Sequence, residues 1–162
     1  MKDLINYIQE SASYDDAPQK VKDAISTTEP IVKKALEKKG YTIEDSTRDE
    51  DFKGIDLKVT NPKTGKLTLI DVKCSDPKNQ NTPNFLFTIK SFKGKYYKDK
   101  KTDYVAFINF PKNEIVLIDV DNLSLLVNNA KPRRGNGEYV LLNKDEVRKK
   151  GYSIIDKDII KL

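Results

Sequence analysis

Four charged residues lie within two neighbouring apolar segments of the chain: Asp56 and Lys58 in residues 55–59, and Asp71 and Lys73 in residues 67–74. Both segments have the composition of β-strands, and residues two apart in a strand share a face. Charged side chains in such strands must be paired, hydrated or bound to a ligand, because burying a bare charge is costly. Two neighbouring carboxylates repel unless a cation lies between them, and oxygen ligands suit Mg²⁺ or Mn²⁺. These residues therefore indicate a candidate metal site.

The turn between the two segments decides whether the two aspartates meet. Residues 61–66 are rich in Asn, Pro and Gly, which is typical of a turn. If they form a six-residue loop, Thr60 pairs with Leu67, and the same register places Asp56 opposite Asp71 with Cβ atoms about 5 Å apart. A five-residue loop would place the aspartates on opposite faces, because a shift of one residue turns every side chain over. We expect the first register.

A third acid, Glu29, precedes the proline that opens a helix predicted over residues 30–39. Helical periodicity places Glu29 at the edge of the apolar face of that helix, where it can approach the aspartates. An alternative role for Glu29 is capping, because a carboxylate at a helix N-terminus is stabilised by the helix dipole. The sequence favours the two roles about equally.

Composition excludes several kinds of chemistry. The 162 residues include no histidine and one cysteine, Cys74. This excludes imidazole-dependent triads, zinc sites built from histidine or several thiolates, and an internal disulfide. The sequence shows neither a signal peptide nor an apolar run long enough to span a membrane. We expect a cytoplasmic protein with no membrane partner, whose chemistry depends on carboxylates, lysines, hydroxyls and a hard metal ion.

The net charge of +5 is concentrated in one segment, because residues 90–101 carry six lysines and one acid. Phe92, Tyr96 and Tyr97 are interleaved with these lysines, and a second basic spot lies in a predicted Gly/Asn-rich loop that ends at Gly137. Lysines suit phosphates and aromatic rings suit bases or sugars, which favours a nucleic-acid partner. The alternative is a solvated lysine-rich loop. The candidate nucleic-acid-binding residues are Lys90, Lys93, Lys95, Lys98, Lys100, Lys101, Arg133 and Arg134.

The alternation of helical and strand patterns predicts an α/β or α+β fold, with one central mixed sheet flanked by helices in a single domain over residues 1–162. We expect a core over about 27–120, N-terminal helices over 1–26 and a C-terminal extension over 121–162. Residues 84–98 are ambiguous between strand and helix. The predicted helices cover residues 2–9, 17–26, 30–39, 122–127 and 144–149, and the predicted strands cover residues 41–43, 55–59, 67–74, 104–110, 115–120 and 139–142.

These features together resemble the PD-(D/E)xK nuclease superfamily, which includes restriction-endonuclease-like and Holliday-junction-resolvase-like proteins. The resemblance covers roughly residues 27–120. It rests on Glu29 before a helix, on Asp56 in the second strand, and on Ile70-Asp71-Val72-Lys73; Ile55 stands where the family pattern has proline. The predicted order of elements also matches the αβββαβ core of that family.

The resemblance implies a role for each site residue. Asp56 and Asp71 would bind Mg²⁺ or Mn²⁺, with the backbone carbonyl of Val72 as a further ligand. Lys73 would position or activate a water, and Glu29 would assist. The implied activity is that of a metal-dependent endonuclease, with DNA favoured over RNA, of a structure-selective kind or one encoded by a phage or mobile element. A homodimer would let such an enzyme hold two strands.

Other interpretations of the same residues belong to different classes of protein. One is a non-catalytic nucleic-acid-binding protein on the same fold, and another is a small protein-binding inhibitor whose lysines meet an acidic partner. Lys58 shares a face with Asp56, so the charged cluster is also compatible with a cross-strand network of salt bridges. Metal dependence separates the nuclease from each of these.

Overall fold

The computed structural model describes residues 19–47, 55–73, 82–91, 94, 96–99, 101–135 and 137–155. The predicted helix over residues 2–9 and Cys74 lie outside these ranges. The described part is a mixed α+β structure, as the sequence predicts. Its elements are α1 (Gln19–Lys38), β1 (Thr42–Asp45), β2 (Leu57–Thr60), β3 (Leu67–Val72), β4 (Asn84–Ser91), β5 (Tyr104–Asn109), β6 (Glu114–Asp119), α2 (Val120–Asn128), β7 (Arg133–Gly135), β8 (Gly137–Asn143), α3 (Lys144–Lys150) and β9 (Tyr152–Ile155), with short 3-10 helices at Tyr97–Asp99 and Phe110–Lys112.

The strands form two sheets. The larger sheet has the order β1-β2-β3-β5-β6-β9, and the smaller has the order β4-β8-β7. Strands β3 and β5 pair in parallel, whereas the other pairs in both sheets are antiparallel. The mixed character of the larger sheet follows from the long connection between β3 and β5, because parallel neighbours require a crossover.

Helix α1 covers one face of the larger sheet and corrects two expectations. The predicted helices over residues 17–26 and 30–39 are one helix, and Pro30 lies inside it rather than in its first turn. Pro30 removes one intrahelical hydrogen bond. The residues after it bury the apolar face of the helix, and this packing offsets the loss. Glu29 therefore does not cap a helix N-terminus. The apolar face comprises Ile31, Val32, Ala35 and Leu36, all buried in one core with strand residues.

The opposite face of the larger sheet packs against the smaller sheet, α2 and α3. Phe85 and Phe87 of β4 and Val140 of β8 are buried there with Val105 and Phe107 of β5. The parallel register pairs Asp71 with Val105, so Asp71 lies on this second face, whereas its neighbours Ile70 and Val72 are buried on the α1 face.

The ambiguous segment 84–98 contains a strand followed by a 3-10 helix. In the described residues between β3 and β5, these elements stand where the family core implied by the resemblance has a helix. Alternation explains the strand, because Phe85 and Phe87 both reach the second core while β4 pairs with β8.

The sequence analysis also missed two strands beyond residue 120. Residues 131–137 were expected to be a loop, but Arg133–Gly135 is a strand that pairs with β8 in a tight hairpin. Strand β9 joins the edge of the larger sheet beside β6, so the predicted C-terminal extension contributes to both sheets. None of the helices in the described ranges is long and apolar enough to cross a lipid bilayer.

Candidate active site

The β2–β3 hairpin has the register predicted from its turn. Thr60 pairs with Leu67, and Leu57 pairs with Ile70. The turn is held by local hydrogen bonds: the Asn61 side chain accepts one from the Lys63 amide at 2.9 Å, and Gly65 adopts a positive φ of 71°. Such a conformation favours glycine. The composition of this turn therefore fixes the register that brings the two aspartates together.

Asp56 lies just before β2, at the point where that strand stops following the regular ladder. Its amide donates to the carbonyl of Ile70 at 2.9 Å, and its carboxyl accepts a hydrogen bond from the Val72 amide at 2.7 Å. The side chain thus takes the place of a backbone partner for β3. The residue as a whole is half-buried.

Asp71 and Lys73 are almost fully buried and form an ion pair. Their exposed fractions are 6% and 5%, and Lys73 Nζ lies 2.7 Å from an Asp71 carboxylate oxygen. The ammonium also lies 5.5 Å from the centre of the Phe87 ring, a cation–π contact. Strand alternation therefore places both charged groups on one face, as predicted, and this is the second face, where Phe87 of the smaller sheet contacts Lys73.

The pKa of Asp56 is raised well above its usual value. Burial is the largest cause, the neighbouring Asp71 carboxyl the second, and Glu29 of α1 the third, while the hydrogen bond from the Val72 amide acts in the opposite direction. The Asp56 and Asp71 carboxyls are also hydrogen-bonded to each other. Such a bond requires a proton on one of them, because an ionised carboxylate only accepts. The three acids proposed from the sequence thus converge around Asp56.

The donor set suits a small hard cation. Within the ranges that the structure describes, no three Asp, Glu, His or Cys side chains are arranged to hold a metal ion. Mg²⁺ commonly binds through one or two carboxylates and keeps several waters, so the Asp56 and Asp71 pair fits this ion. Two crowded carboxyls repel each other when both are ionised, and a cation between them would relieve that repulsion.

The backbone of Val72 supplies a third oxygen in the same place. The Lys73 amide donates to Ala106 of β5. Backbone groups of successive strand residues point to opposite neighbours, so the amide and carbonyl of Val72 point towards β2. The Val72 amide meets Asp56 on that side. The carbonyl of Val72 therefore points to the same side of β3 as its amide, which is the side of Asp56.

Lys58 makes a cross-strand pair outside this cluster. Its ammonium lies 3.6 Å from a carboxylate oxygen of Glu44, which is its register partner on β1. The Glu44 side chain is largely exposed, so this pair is a surface interaction.

The predicted nucleic-acid-binding residues are placed only in part. Lys93, Lys95 and Lys100 lie outside the described residues. Lys90 is half-buried on β4, whereas the remaining four are exposed. Those four are Lys98, Lys101, Arg133 and Arg134.

One aromatic residue expected at the surface is buried. Tyr97 has an exposed fraction of 8%, and its hydroxyl donates to Ser124 of α2 at 3.0 Å. Its ring meets Phe87 edge-on, with centroids 5.1 Å apart. Tyr97 is therefore part of the core and is not positioned to stack on a base. Tyr96 is half exposed, at 47%.

Sequence reasoning missed Phe87 as a site residue. Its ring covers Lys73 and joins the smaller sheet to the acids. The alternation of Phe85 and Phe87 was the available signal, but the segment was compatible with a helix as well. No protein-family model, no curated protein and no solved structure matches the chain. The assignment of the site therefore depends on these residues and their geometry.

Proposed function

We propose that this protein is a metal-dependent nuclease that hydrolyses phosphodiester bonds of DNA, with the PD-(D/E)xK arrangement implied by its sequence. The observation that carries the proposal is the convergence of Asp56, Asp71 and Lys73 on one hairpin: Lys73 Nζ lies 2.7 Å from the Asp71 carboxylate, and the Asp56 carboxyl accepts from the amide of Val72, the residue between Asp71 and Lys73. The raised pKa of Asp56, caused by burial and by the nearby Asp71 and Glu29, supports the same assignment. Crowded acids beside a buried lysine are typical of sites that bind a cation.

Each residue has a distinct part in this proposal. Asp56, Asp71 and the Val72 carbonyl would hold Mg²⁺ or Mn²⁺, which when bound polarises a phosphate oxygen and lowers the pKa of a coordinated water. Lys73 orients the attacking water and stabilises negative charge on the phosphate in the transition state. Burial strengthens these interactions, because the local dielectric constant is low. Glu29 helps to fix the protonation state of Asp56. A cytoplasmic location belongs to the same proposal, since DNA is the substrate.

The proposal is tested by measuring Mn²⁺ binding and plasmid cleavage in wild type and Asp71→Asn. We expect wild type to bind Mn²⁺ by calorimetry and to nick supercoiled DNA. We expect Asp71→Asn to lose about 10³-fold or more in cleavage rate, since metal catalysis contributes several kcal/mol. Glu37→Gln is the matched control, because Glu37 is exposed on α1. Equal cleavage rates for wild type and Asp71→Asn would contradict the nuclease proposal. So would a lack of DNA cleavage by wild type in the presence of Mn²⁺.

A second candidate function is non-catalytic nucleic-acid binding on the same scaffold. The salt bridge between Lys73 and Asp71 favours this alternative, because Asp71 already has a cationic partner. In a metal-bound site, its carboxylate oxygens would have to bind the metal ion as well. In this alternative Mn²⁺ does not bind, whereas DNA binding is retained in Asp71→Asn.

A further inference from the structure

The smaller sheet brings together two basic segments that are about forty residues apart in sequence. Its register pairs Lys90 with Glu138 and Glu138 with Arg134, so the three residues form one row across β4, β8 and β7. Side chains paired across strands lie on the same face. We refer to Lys90, Glu138 and Arg134 as the basic row.

A β-bulge in β4 creates this row. The register shifts between Thr88 and Lys90, so Lys90 takes the place opposite Glu138 that regular pairing would give to Ile89. Ile89 instead packs against the second core. Bulges re-aim side chains and are common beside active sites. Here the bulge exchanges an apolar side chain for a cation in the row.

The basic row lies on the face of the smaller sheet that covers the acids. Glu138 and Val140 are two apart on β8 and share a face, and Val140 pairs with Phe87. Phe87 contacts Lys73. The row therefore lies about 7 Å along the strands from the residues that cover the active site.

Further cations flank the row. A backbone bridge joins Lys90 to Tyr96, and the Lys90 ammonium lies 5.0 Å from the centre of the Tyr96 ring. Exposed Lys98 follows buried Tyr97 in the same 3-10 helix, which anchors it near β4. Exposed Arg133 lies beside Arg134 on β7.

We propose that the basic row and its flanking cations form a surface that binds the phosphates of double-stranded DNA and directs the duplex to the Asp56–Asp71 site. This inference rests on the proposed function. The cations lie on β4 and β7, the two outer strands, about 10 Å apart. That separation is close to the width of the DNA major groove, which is about 12 Å. A single strand would instead bind by stacking successive bases on aromatic rings, but Tyr97 is buried and Tyr96 is covered on one side by the Lys90 ammonium.

Glu138 distinguishes this proposal from a structural network of ion pairs. In a structural network, its carboxylate would stabilise Lys90 and Arg134, and its loss would lower the thermal stability. On a phosphate-binding surface, the same carboxylate repels DNA. We therefore expect Glu138→Gln to bind duplex DNA several-fold more tightly than wild type does.

The test is binding of a short fluorescein-labelled DNA duplex and of its single strand, measured by anisotropy in EDTA at several salt concentrations. We expect wild type to prefer the duplex. Arg134→Gln should bind several-fold more weakly, and the slope of log K against log[salt] should fall by about 0.9 for one lost contact. The matched control is Lys149→Gln, an equal loss of charge in an exposed residue beyond the other end of β8. Thermal melting verifies that each variant is folded.

The outcomes separate this surface from the nuclease. An unchanged salt slope in the arginine variant, an equal loss in the lysine control, or equal binding of single strand and duplex would overturn the proposed surface, even if wild type cleaves DNA. Duplex binding with the expected slopes supports the surface, even if wild type shows no Mn²⁺-dependent cleavage and the nuclease proposal fails.

Discussion

Two clusters of buried charge lie on the same protein and differ in how their charges are matched. In the first, Asp56, Asp71 and Glu29 crowd together and Lys73 bonds to Asp71. In the second, Glu114 of β6 is 1% exposed. Arg148 of α3 holds both of its carboxylate oxygens, at 2.6 and 2.7 Å.

The second cluster continues through neutral and charged partners. Asn109 donates to Glu114 at 3.3 Å and accepts from the Lys144 ammonium at 3.2 Å. Lys144 also lies 5.4 Å from the centre of the Phe85 ring. Burial lowers the pKa of Lys144, and the neighbouring cations Lys112 and Arg148 lower it further.

The carboxyl groups of the two clusters have pKa shifts of opposite sign. Hydrogen bonds from Arg148 lower the pKa of Glu114 despite its burial, and the same pairing raises the pKa of Arg148. The pKa of Asp56 is raised, because burial and the two neighbouring acids act together. A buried charge that already has a rigid partner joins two elements of the fold. Asp56 accepts a hydrogen bond from the Val72 amide, but the neighbouring charges that raise its pKa are both acids. For this reason we propose a function for the first cluster and a structural role for the second.

The largest expected effect is on catalysis at the first cluster. Lys73→Met should lower the cleavage rate of saturated enzyme by about 10²- to 10³-fold, because the ammonium stabilises charge that develops in the transition state. The affinity for duplex DNA in EDTA should stay the same. Single-turnover kinetics and anisotropy measure the two quantities. Lys58→Met is the control on the same hairpin, and a comparable loss of rate there would contradict a specific role for Lys73.

The next effect is on stability at the second cluster. Glu114→Gln should lower the free energy of unfolding by about 3 kcal/mol, because it breaks a buried bidentate pair and leaves Arg148 with the exposed Asp145 as its acidic partner. In a domain of this size the melting temperature should fall by about 10 °C. Cleavage per folded molecule should not change. Urea unfolding together with the nuclease assay separates the two, and a loss of activity in folded Glu114→Gln would contradict the division of roles.

Removing an acid from the first cluster should raise the melting temperature, whereas removing Glu114 from the second should lower it. At neutral pH in EDTA, Asp56→Asn should raise the melting temperature, because it removes a crowded carboxyl and leaves an oxygen that accepts from the Val72 amide. The mutant should also lose Mn²⁺ binding. A lower melting temperature for Asp56→Asn would show that the acids are matched after all and that the contrast between the clusters is wrong.

The two clusters should also differ in their response to pH. The raised pKa of Asp56 means that the folded protein keeps this proton at pH values above the usual pKa of 3.8. The contribution of Asp56 to the free energy of unfolding therefore falls as pH rises from about 4 towards the raised pKa. Glu114 is ionised below its usual pKa of 4.5, so its contribution is complete above that pH and is lost as pH falls through the lowered pKa.

The free energy of unfolding, measured from pH 3 to 8 in EDTA, tests the expected pH dependence of both residues. The gain in stability of Asp56→Asn over wild type should grow as pH rises from about 4. The deficit of Glu114→Gln should shrink as pH falls below about 4.5. Parallel curves for both variants would contradict the assigned shifts.

The first cluster was predictable from sequence and the second was not, for physical reasons. Asp56, Asp71 and Lys73 lie on one hairpin, whose turn composition fixes a register that simple counting recovers. Glu114 and Arg148 are 34 residues apart, and only the packing of α3 against β6 brings them together. Local periodicity carries no information on such a pairing.

The same reasoning explains the errors in the element assignment. Pro30 looked like a helix start because proline is favoured there, but packing of the apolar face outweighed one missing hydrogen bond. Strand β7 has three exposed residues, so it has no alternation that a pattern could reveal. Its strand conformation depends on its partner β8.

The smallest expected effect is at the surface pair of Lys58 and Glu44. Its ammonium and carboxylate are 3.6 Å apart, and Glu44 is 76% exposed. Solvent screens such a pair, so Glu44→Gln should change the free energy of unfolding by less than about 1 kcal/mol and should not change cleavage. Urea unfolding at low and high salt measures the change, which should vanish at high salt. A loss of unfolding free energy as large as that of Glu114→Gln would contradict this expectation. It would mean that burial of the ion pair is not the reason why the Glu114 cluster stabilises the fold.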